Sequence, residues 1–229
     1  MTTKFWIFDL DNTLHNATPH IFPHINRSMT AYLQQHLQLD EAAANALRMH
    51  YWQRYGATLS GLMRHHGTRP EHFLWHTHQF PELERMVLRE PRLRHVLKNL
   101  PGRKVVFSNA PQHYAQAVLK LLRVADLFDD VMAVEQTRYR PKPDSFGFLR
   151  LLRRHRVAAA QCVMVEDSLE NLVAAKRLGM RTVWVNAGNK SAPCVDVKIR
   201  DVMQLPRAMG RLNLKKTVIH ETHEQDQRA

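Results

Sequence analysis

Cysteine is scarce in this chain: among 229 residues it occurs only at Cys162 and Cys194. The two stand far apart, form no CxxC pair and lie among apolar or small residues, which favours reduced thiols over a disulfide or a metal site. No apolar run reaches the roughly 20 residues of a membrane-spanning helix, and no signal-peptide core precedes the first strand-like segment. We therefore expect a cytoplasmic protein with no membrane partner.

Acidic residues are too few to balance the basic ones, and the formal net charge is +12. Residues 1–90 hold 8 Lys/Arg and 8 Asp/Glu, whereas residues 91–229 hold 25 and 13, so the excess lies in the second part. A basic surface can attract a nucleic-acid backbone or a small phosphate ester, or it can have no partner. Charge alone does not choose among these.

Short apolar runs alternate with helical patterns over most of the chain. The predicted strands cover residues 4–8, 104–107, 131–134, 162–165 and 182–185, and predicted helices separate the later ones. This alternation predicts an α/β fold: a doubly wound, Rossmann-like parallel sheet with helices on both faces. Ligands of such folds lie at the carboxyl ends of the strands.

The segment after the first strand differs, because residues 16–88 contain helical spacing and no strand-like run. We predict a small all-helical cap at residues 16–88, inserted into a catalytic core of residues 1–15 and 89–205. Residues 206–229 are polar and lack clear periodicity, so they are predicted to form a C-terminal extension.

Acidic side chains follow two of the predicted buried strands. Asp9 and Asp11 come directly after the first, and Glu166 and Asp167 come directly after the fourth. Ionised carboxylates are costly to bury unpaired, so they need a cation. Several carboxylate oxygens at one edge of a sheet form a hard-oxygen site suited to Mg²⁺.

A lysine and a serine complete this pattern. Lys142 lies between two prolines in an extended loop, where its ammonium can reach an anion, and Ser108 follows the second strand. A phosphate ester repels an attacking carboxylate, so Mg²⁺ and Lys142 would neutralise its charge while Ser108 and loop N–H groups hold its oxygens. The set predicts phosphoryl chemistry.

Four segments, in order, resemble the motifs of the haloacid dehalogenase superfamily: FDLDNTL at 8–14, FSN at 107–109, RPKPD at 140–144 and VEDSLEN at 165–171. The resemblance implies that Asp9 is the nucleophile forming an aspartyl-phosphate and that Asp11 is the acid/base. It implies Mg²⁺ held by Asp9, Asp167 and the backbone carbonyl of Asp11. Glu166 would bind the metal directly or through water.

Asp11 also distinguishes between removal of a halogen and hydrolysis of a phosphate ester. Members of the superfamily that remove halogens lack an acid two residues after the nucleophile and need no magnesium, so the resemblance implies a phosphohydrolase. Phosphomutases share this acid and stay an open alternative, because a mutase differs by a cap that excludes water.

The segments MHYWQRYG at 49–56 and LSGLMRHH at 59–66 are similar to the pyrimidine 5′-nucleotidase branch of that superfamily. This similarity implies pyrimidine nucleoside 5′-monophosphates as substrates, with Arg64, His65 and His66 as candidates near the ligand. Asn109, next to Ser108, is a further candidate substrate contact. A phosphatase of sugar phosphates or other small metabolites is the alternative within enzymes. A basic nucleic-acid-binding protein on a phosphatase fold is the alternative outside them, disfavoured by the complete catalytic set.

Histidines are frequent in the predicted cap. The pairs at residues 65 and 66 and at residues 76 and 78 suit a solvated helix face better than a zinc site, because no nearby cysteine or carboxylate completes a tetrahedral ligand set. The sequence gives no indication of oligomeric state.

Overall fold

A computed structural model describes residues 5–212 of the chain. Within them lies one six-stranded parallel sheet of order β3-β2-β1-β4-β5-β6. Its strands are β1 (Phe5–Phe8), β2 (Arg103–Phe107), β3 (Asp130–Met132), β4 (Cys162–Glu166), β5 (Arg181–Val185) and β6 (Val197–Ile199). The predicted doubly wound α/β architecture is confirmed.

The strand β1 positions the site because it lies in the middle of the sheet, between β2 and β4. All four of its residues are buried, as expected for an apolar strand covered on both faces. In the register, Phe8 stands beside both Val106 and Val165. The residues that follow β1, β2 and β4 therefore meet at one edge, where the strand order changes direction and ligands of such sheets bind.

The first five helices after β1 form the segment called the insertion below. They are α1 (Ile21–Leu37), α2 (Glu41–Tyr55), α3 (Thr58–His66), α4 (Pro70–Thr77) and α5 (Leu83–Met86). Asp40 caps α2 by accepting a hydrogen bond from the N–H of Ala43 at 2.8 Å, and Gly56 and Gly67 end α2 and α3 with positive φ angles.

The insertion forms most of an apolar cluster, which includes Tyr32, Tyr51, Leu62 and Phe73 and which Val134 of the core joins. Helices α2 and α3 pack closely at Gly61, where an added Cβ would lie 2.2 Å from the Tyr51 ring.

Five further helices accompany the sheet: α6 (Leu93–Asn99), α7 (Gln112–Leu121), α8 (Ser145–His155), α9 (Leu169–Arg177) and α10 (Leu205–Ala208). Apolar side chains of α6, α7 and α10 join one core cluster with β1 residues Trp6 and Phe8. Those of α8 and α9 join a second cluster with Phe5 and Ile7, on the other face of the sheet. Helices thus cover both faces.

The structure corrects the predicted elements in two places. The strand predicted at 131–134 ends at Met132, because the chain turns into a 3₁₀ helix closed by a hydrogen bond between the N–H of Ala133 and Gln136 Oε1 at 2.8 Å. Strand β6 was not predicted. Residues 206–212 of the predicted C-terminal extension pack against the core, where Ala208 and Leu212 are buried; residues 213–229 lie outside the described residues.

Two expectations about composition can be compared with the structure. Cys162 is a buried free thiol whose pKa burial raises to about 12, and Cys194 is a partly exposed free thiol. None of the helices in residues 5–212 combines the length and the apolar character needed to cross a bilayer.

Candidate active site

Lys142 lies at the centre of a buried ionic network at the carboxyl edge of the sheet. Its Nζ donates hydrogen bonds to Asp9 Oδ1 at 2.7 Å, to Glu166 Oε2 at 2.7 Å and to the carbonyl oxygen of Phe107 at 2.8 Å. Burial acts to lower the pKa of Lys142, but the Asp9 and Glu166 carboxylates outweigh it and raise that pKa. The ammonium is therefore a fixed positive charge beside Asp9.

Asp9 sits directly after β1 and is 7% exposed. Burial raises its pKa to about 7, the Glu166 carboxylate adds to the rise, and Lys142 opposes it. Burial also raises the pKa values of Glu166 and Asp167. Three carboxyl groups thus share one ammonium, and a further cation would favour their ionised forms.

The donor set fits a magnesium ion. Asp9, Glu166 and Asp167 form a group whose carboxylate oxygens all lie within 4.8 Å of one another. Oxygen donors with excess negative charge are what a hard divalent cation requires. The acidic loop is held in place, because the indole N–H of Trp184 donates to the carbonyl oxygen of Asp167 at 2.8 Å and the N–H of Ser168 donates to Glu166 Oε1 at 3.2 Å.

The carboxylate of Asp11 lies apart from this acidic cluster and is fixed by two other groups. The Tyr114 hydroxyl donates to Asp11 Oδ1 at 2.6 Å, and His15 Nε2 lies 2.9 Å from the same oxygen. His78 is also buried nearby, and burial lowers its pKa to about 4, so its ring is neutral at neutral pH. The predicted contact of the Asp11 backbone carbonyl with Mg²⁺ stays a prediction.

Sequence reasoning missed the two partners of Asp11. Tyr114 lies on the apolar face of α7 and is 1% exposed, so the sequence pattern marks it as a core residue. The available signal was its hydroxyl, since a buried tyrosine O–H needs an acceptor. His15 lies four residues after Asp11, and no periodic pattern distinguishes it.

Ser108 and Asn109 follow β2 at the same edge. Ser108 is 2% exposed, and its Oγ accepts a hydrogen bond from the N–H of Ala110 at 3.0 Å. The side chain of Asn109 binds the backbone of Lys142 twice: Nδ2 donates to the carbonyl oxygen at 3.1 Å, and Oδ1 accepts from the N–H at 2.7 Å. Asn109 therefore positions the Lys142 loop; its predicted contact with substrate stays a prediction.

Two adjoining cavities open at this edge. The catalytic cavity, of about 670 Å³, is lined by residues that include Asp9, Ser108, Lys142 and Asp167. The cap cavity, of about 460 Å³, lies between the insertion and the core. Six residues border both cavities: Asp11, Phe22, Trp52, Gly56, Asn109 and Ala110. A molecule with its phosphate at Asp9 would extend into the cap cavity.

The lining of the cap cavity is mainly apolar. It includes Phe22 and Met29 of α1, Met49 and Trp52 of α2, and Phe73 of α4. The polar lining includes Arg48 and Asn26, which are joined by a hydrogen bond of 2.9 Å from Arg48 Nη1 to Asn26 Oδ1. Burial lowers the pKa of Arg48, although the guanidinium stays charged.

Arg64 and His65 are not brought to either cavity. Both lie exposed in the last turn of α3, where His65 Nε2 is 2.6 Å from the Tyr55 hydroxyl and Arg64 lies over the Tyr55 ring. The buried face of α3 is formed by residues such as Leu59 and Leu62, and helical periodicity turns Arg64 away from that face. The cationic side chain at the cap cavity is Arg48.

One core loop also contacts the insertion directly. Tyr139 lines the cap cavity, and its hydroxyl donates a hydrogen bond to Glu71 Oε1 of α4 at 2.6 Å. The bond joins the segment that precedes Lys142 to the helices of the insertion.

Comparisons with known proteins find a hydrolase family and phosphatase relatives. A family model described as a haloacid dehalogenase-like hydrolase matches residues 4–179. Phosphate metabolism protein 8 of Saccharomyces cerevisiae is 25% identical over 193 residues, which are 77% of this chain and only 60% of that protein's length. A phosphoglycolate phosphatase of Colwellia psychrerythraea is 26% identical over 199 residues, 80% of this chain and 84% of that protein.

Among solved structures, a HAD phosphatase from Thermococcus onnurineus superposes with a TM-score of 0.62. It is 23% identical in sequence, and the match covers 90% of this chain and 98% of that one. At this identity the likeness concerns the fold.

Proposed function

Because the chain belongs to the haloacid dehalogenase-like hydrolases, we propose that it is a magnesium-dependent phosphomonoesterase acting through an aspartyl-phosphate. The observation that carries this proposal is the buried group of Asp9, Lys142, Glu166 and Asp167 at the floor of an open cavity. A carboxylate beside a fixed ammonium and further carboxylates suits nucleophilic attack on a charged phosphate ester.

In the first step, a carboxylate oxygen of Asp9 forms a bond to phosphorus while the bond from phosphorus to the leaving oxygen breaks. Asp11 gives its proton to the leaving oxygen, so the alcohol departs neutral. In the second step, Asp11 takes a proton from water, whose oxygen bonds to phosphorus as the bond to Asp9 breaks. Inorganic phosphate leaves, and Asp9 and Asp11 return to their starting forms.

Two side chains bind the phosphate during both steps. Lys142 offsets its negative charge, and the Ser108 hydroxyl, which accepts from the N–H of Ala110, keeps its own hydrogen for a phosphate oxygen. Mg²⁺ held by Asp9, Asp167 and the backbone carbonyl of Asp11, with Glu166 beside it, would supply further charge neutralisation. The hydrogen bonds from Tyr114 and at His15 both fix Asp11 Oδ1, which orients the acid for proton transfer through its other oxygen.

The leaving group that we propose is a pyrimidine nucleoside. A flat base needs apolar faces and a few polar groups at its edge. The cap cavity offers Phe22, Met49 and Trp52 as apolar surfaces, with Arg48 and Asn26 as the polar pair. A sugar phosphate would leave most of its hydroxyls without partners among these side chains.

One comparison favours a second candidate. The relative from Colwellia psychrerythraea is named a phosphoglycolate phosphatase, and a guanidinium such as that of Arg48 suits the carboxylate of a small phosphorylated acid. The two candidates differ in what fills the cap cavity, since such an acid leaves it largely vacant.

Initial rates on a substrate panel test the proposal. The panel contains UMP, CMP, their deoxy forms, purine monophosphates, phosphoglycolate, sugar phosphates and p-nitrophenyl phosphate, each with Mg²⁺ and with a chelator. We expect the highest kcat/KM on pyrimidine monophosphates and loss of all activity in Asp9→Asn and in chelator. Activity that survives either treatment would refute the mechanism, and a panel without turnover would refute the phosphatase.

A pair of variants tests the substrate separately. Arg48→Met should lower kcat/KM for the preferred nucleotide by roughly 10- to 100-fold, as expected for one lost charged hydrogen bond, with little change on p-nitrophenyl phosphate. Arg64→Met is the matched control, because Arg64 lies outside both cavities. Equal effects of the two variants, or a preference for phosphoglycolate, would reject the nucleotide while leaving the reaction in place.

A further inference from the structure

Three histidines meet on the outer face of the insertion, away from the catalytic cavity. His36 comes from the last turn of α1, and His72 and His76 lie one turn apart on α4. All three are exposed. Histidines four residues apart on a helix project from one face, and the packing of α1 against α4 adds the third ring.

The three rings lie near enough to one another for one ion to reach all of them after a change of side-chain rotamer. The centroids of His72 and His76 are 4.3 Å apart, those of His36 and His72 are 5.2 Å apart, and those of His36 and His76 are 6.3 Å apart. Tetrahedral zinc, with Zn–N bonds of about 2.1 Å, holds the centres of its imidazole rings roughly 5 Å apart. The separations of 4.3 and 5.2 Å lie close to that value, and the separation of 6.3 Å is longer.

A second observation concerns the orientation of one ring. The hydroxyl of Tyr32, a residue that is 8% exposed, lies 2.9 Å from Nδ1 of His72. Metal-binding histidines characteristically use one ring nitrogen for such a contact, which leaves the other nitrogen for the metal. Neutral imidazole is the form that binds metal ions.

We propose that His36, His72 and His76 bind a late first-row divalent cation, of which zinc is the example, with water completing the ligands. Three imidazole nitrogens suit zinc, nickel or copper and do not suit the hard Mg²⁺ of the catalytic centre. Among the described residues, the acidic cluster is the one group whose candidate ligand atoms all lie within 4.8 Å of one another. Binding would therefore require the exposed histidine rings to turn towards one another, which their exposure allows.

Such an ion would join α1 and α4 on their outer faces. The opposite faces of the same two helices line the cap cavity. Phe22 and Met29 of α1 and Phe73 of α4 border that cavity, whereas His36 and His72 lie on the outside. The metal would stabilise the insertion by tying α1 to α4, and no chemical step depends on it.

Zinc titration of the tag-free full chain, followed by calorimetry in excess Mg²⁺, tests the proposal. We expect one zinc ion to bind the wild type at this site, with the event lost in His36→Gln and in His76→Gln. Tyr32→Phe should weaken it by roughly tenfold, as loss of an outer partner does. His50→Gln is the matched control, because His50 is exposed on α2 outside the trio.

Thermal melting provides a readout independent of activity. Zinc should raise the Tm of the wild type and of His50→Gln and leave the Tm of His36→Gln and His76→Gln unchanged, while circular dichroism shows that all four proteins are folded. Absence of saturable zinc binding by the wild type would overturn the proposal. Equal zinc affinity in the wild type and both histidine variants would overturn it as well.

Discussion

Replacing Lys142 by methionine should destabilise the protein far more than loss of any exposed lysine. The Lys142 side chain is 1% exposed, and its ammonium contacts the carboxylates of Asp9 and Glu166, which are 10% and 2% exposed. Removing one partner of a buried ion pair costs about 3–5 kcal/mol, because the other charge is left uncompensated. A matched control is Lys176→Met, whose ion pair with Asp196 is 36% exposed on the lysine side and is worth about 0–1 kcal/mol.

Urea denaturation followed by circular dichroism, in the presence of chelator, measures both free energies of unfolding. The double variant Lys142→Met with Glu166→Gln should lose less stability than the sum of the two single variants, by about 1–3 kcal/mol, since the second change removes a stranded charge. Two results would contradict the buried ion pairs seen in the structure. One is that Lys142→Met lowers the free energy of unfolding no more than Lys176→Met does, and the other is that the double variant loses the full sum of the two single losses.

Three further predictions concern the site and the insertion. Tyr114→Phe removes the 2.6 Å hydrogen bond to Asp11 and should lower kcat by roughly tenfold at unchanged KM, with a smaller loss on p-nitrophenyl phosphate, whose leaving group needs no proton. The pKa of His78 falls from about 6.5 in the unfolded chain to about 4 in the folded protein. As far as this histidine is concerned, the folded protein therefore keeps its full stability above pH 6.5 and loses stability as the pH falls towards 4, because only the unfolded chain gains the proton in that range. The loss amounts to about 3 kcal/mol, and urea midpoints should depend less on pH in His78→Gln. Gly61→Ala places a Cβ 2.2 Å from Cγ of Tyr51 and should lower the free energy of unfolding by about 1–3 kcal/mol; an unchanged Tm would contradict this packing.

The sequence could predict the chemical edge of the sheet because parallel strands end together. Asp9, Ser108 and Glu166 each follow an apolar run, and the registers of β1, β2 and β4 bring them to one place. Lys142 was predictable from its position between two prolines, although its contacts with both Asp9 and Glu166 were not. Short-range patterns identify strand ends well and say little about side-chain partners.

The parts that sequence analysis missed depend on contacts between distant residues. The bond from Tyr114 to Asp11 joins positions 103 residues apart, and the tyrosine fits an apolar helix face equally well without it. Arg64 was predicted at the ligand because it stands in a suggestive segment, yet the helical turn directs it outward. His36 lies far from His72 in sequence, so only the packing of α1 on α4 brings them together.

The groups proposed for bond making and the polar and apolar lining that faces the proposed leaving group come from different parts of the chain. The groups assigned to bond making follow strands of the sheet, whereas Arg48, Met49 and Trp52 belong to a helix of the insertion. Under the proposed function, substitutions on α2 would therefore change which alcohol is released and leave the proposed nucleophile Asp9 untouched. A library randomised at Arg48 and Met49, which border the cap cavity and not the catalytic cavity, should change specificity while turnover of p-nitrophenyl phosphate is kept.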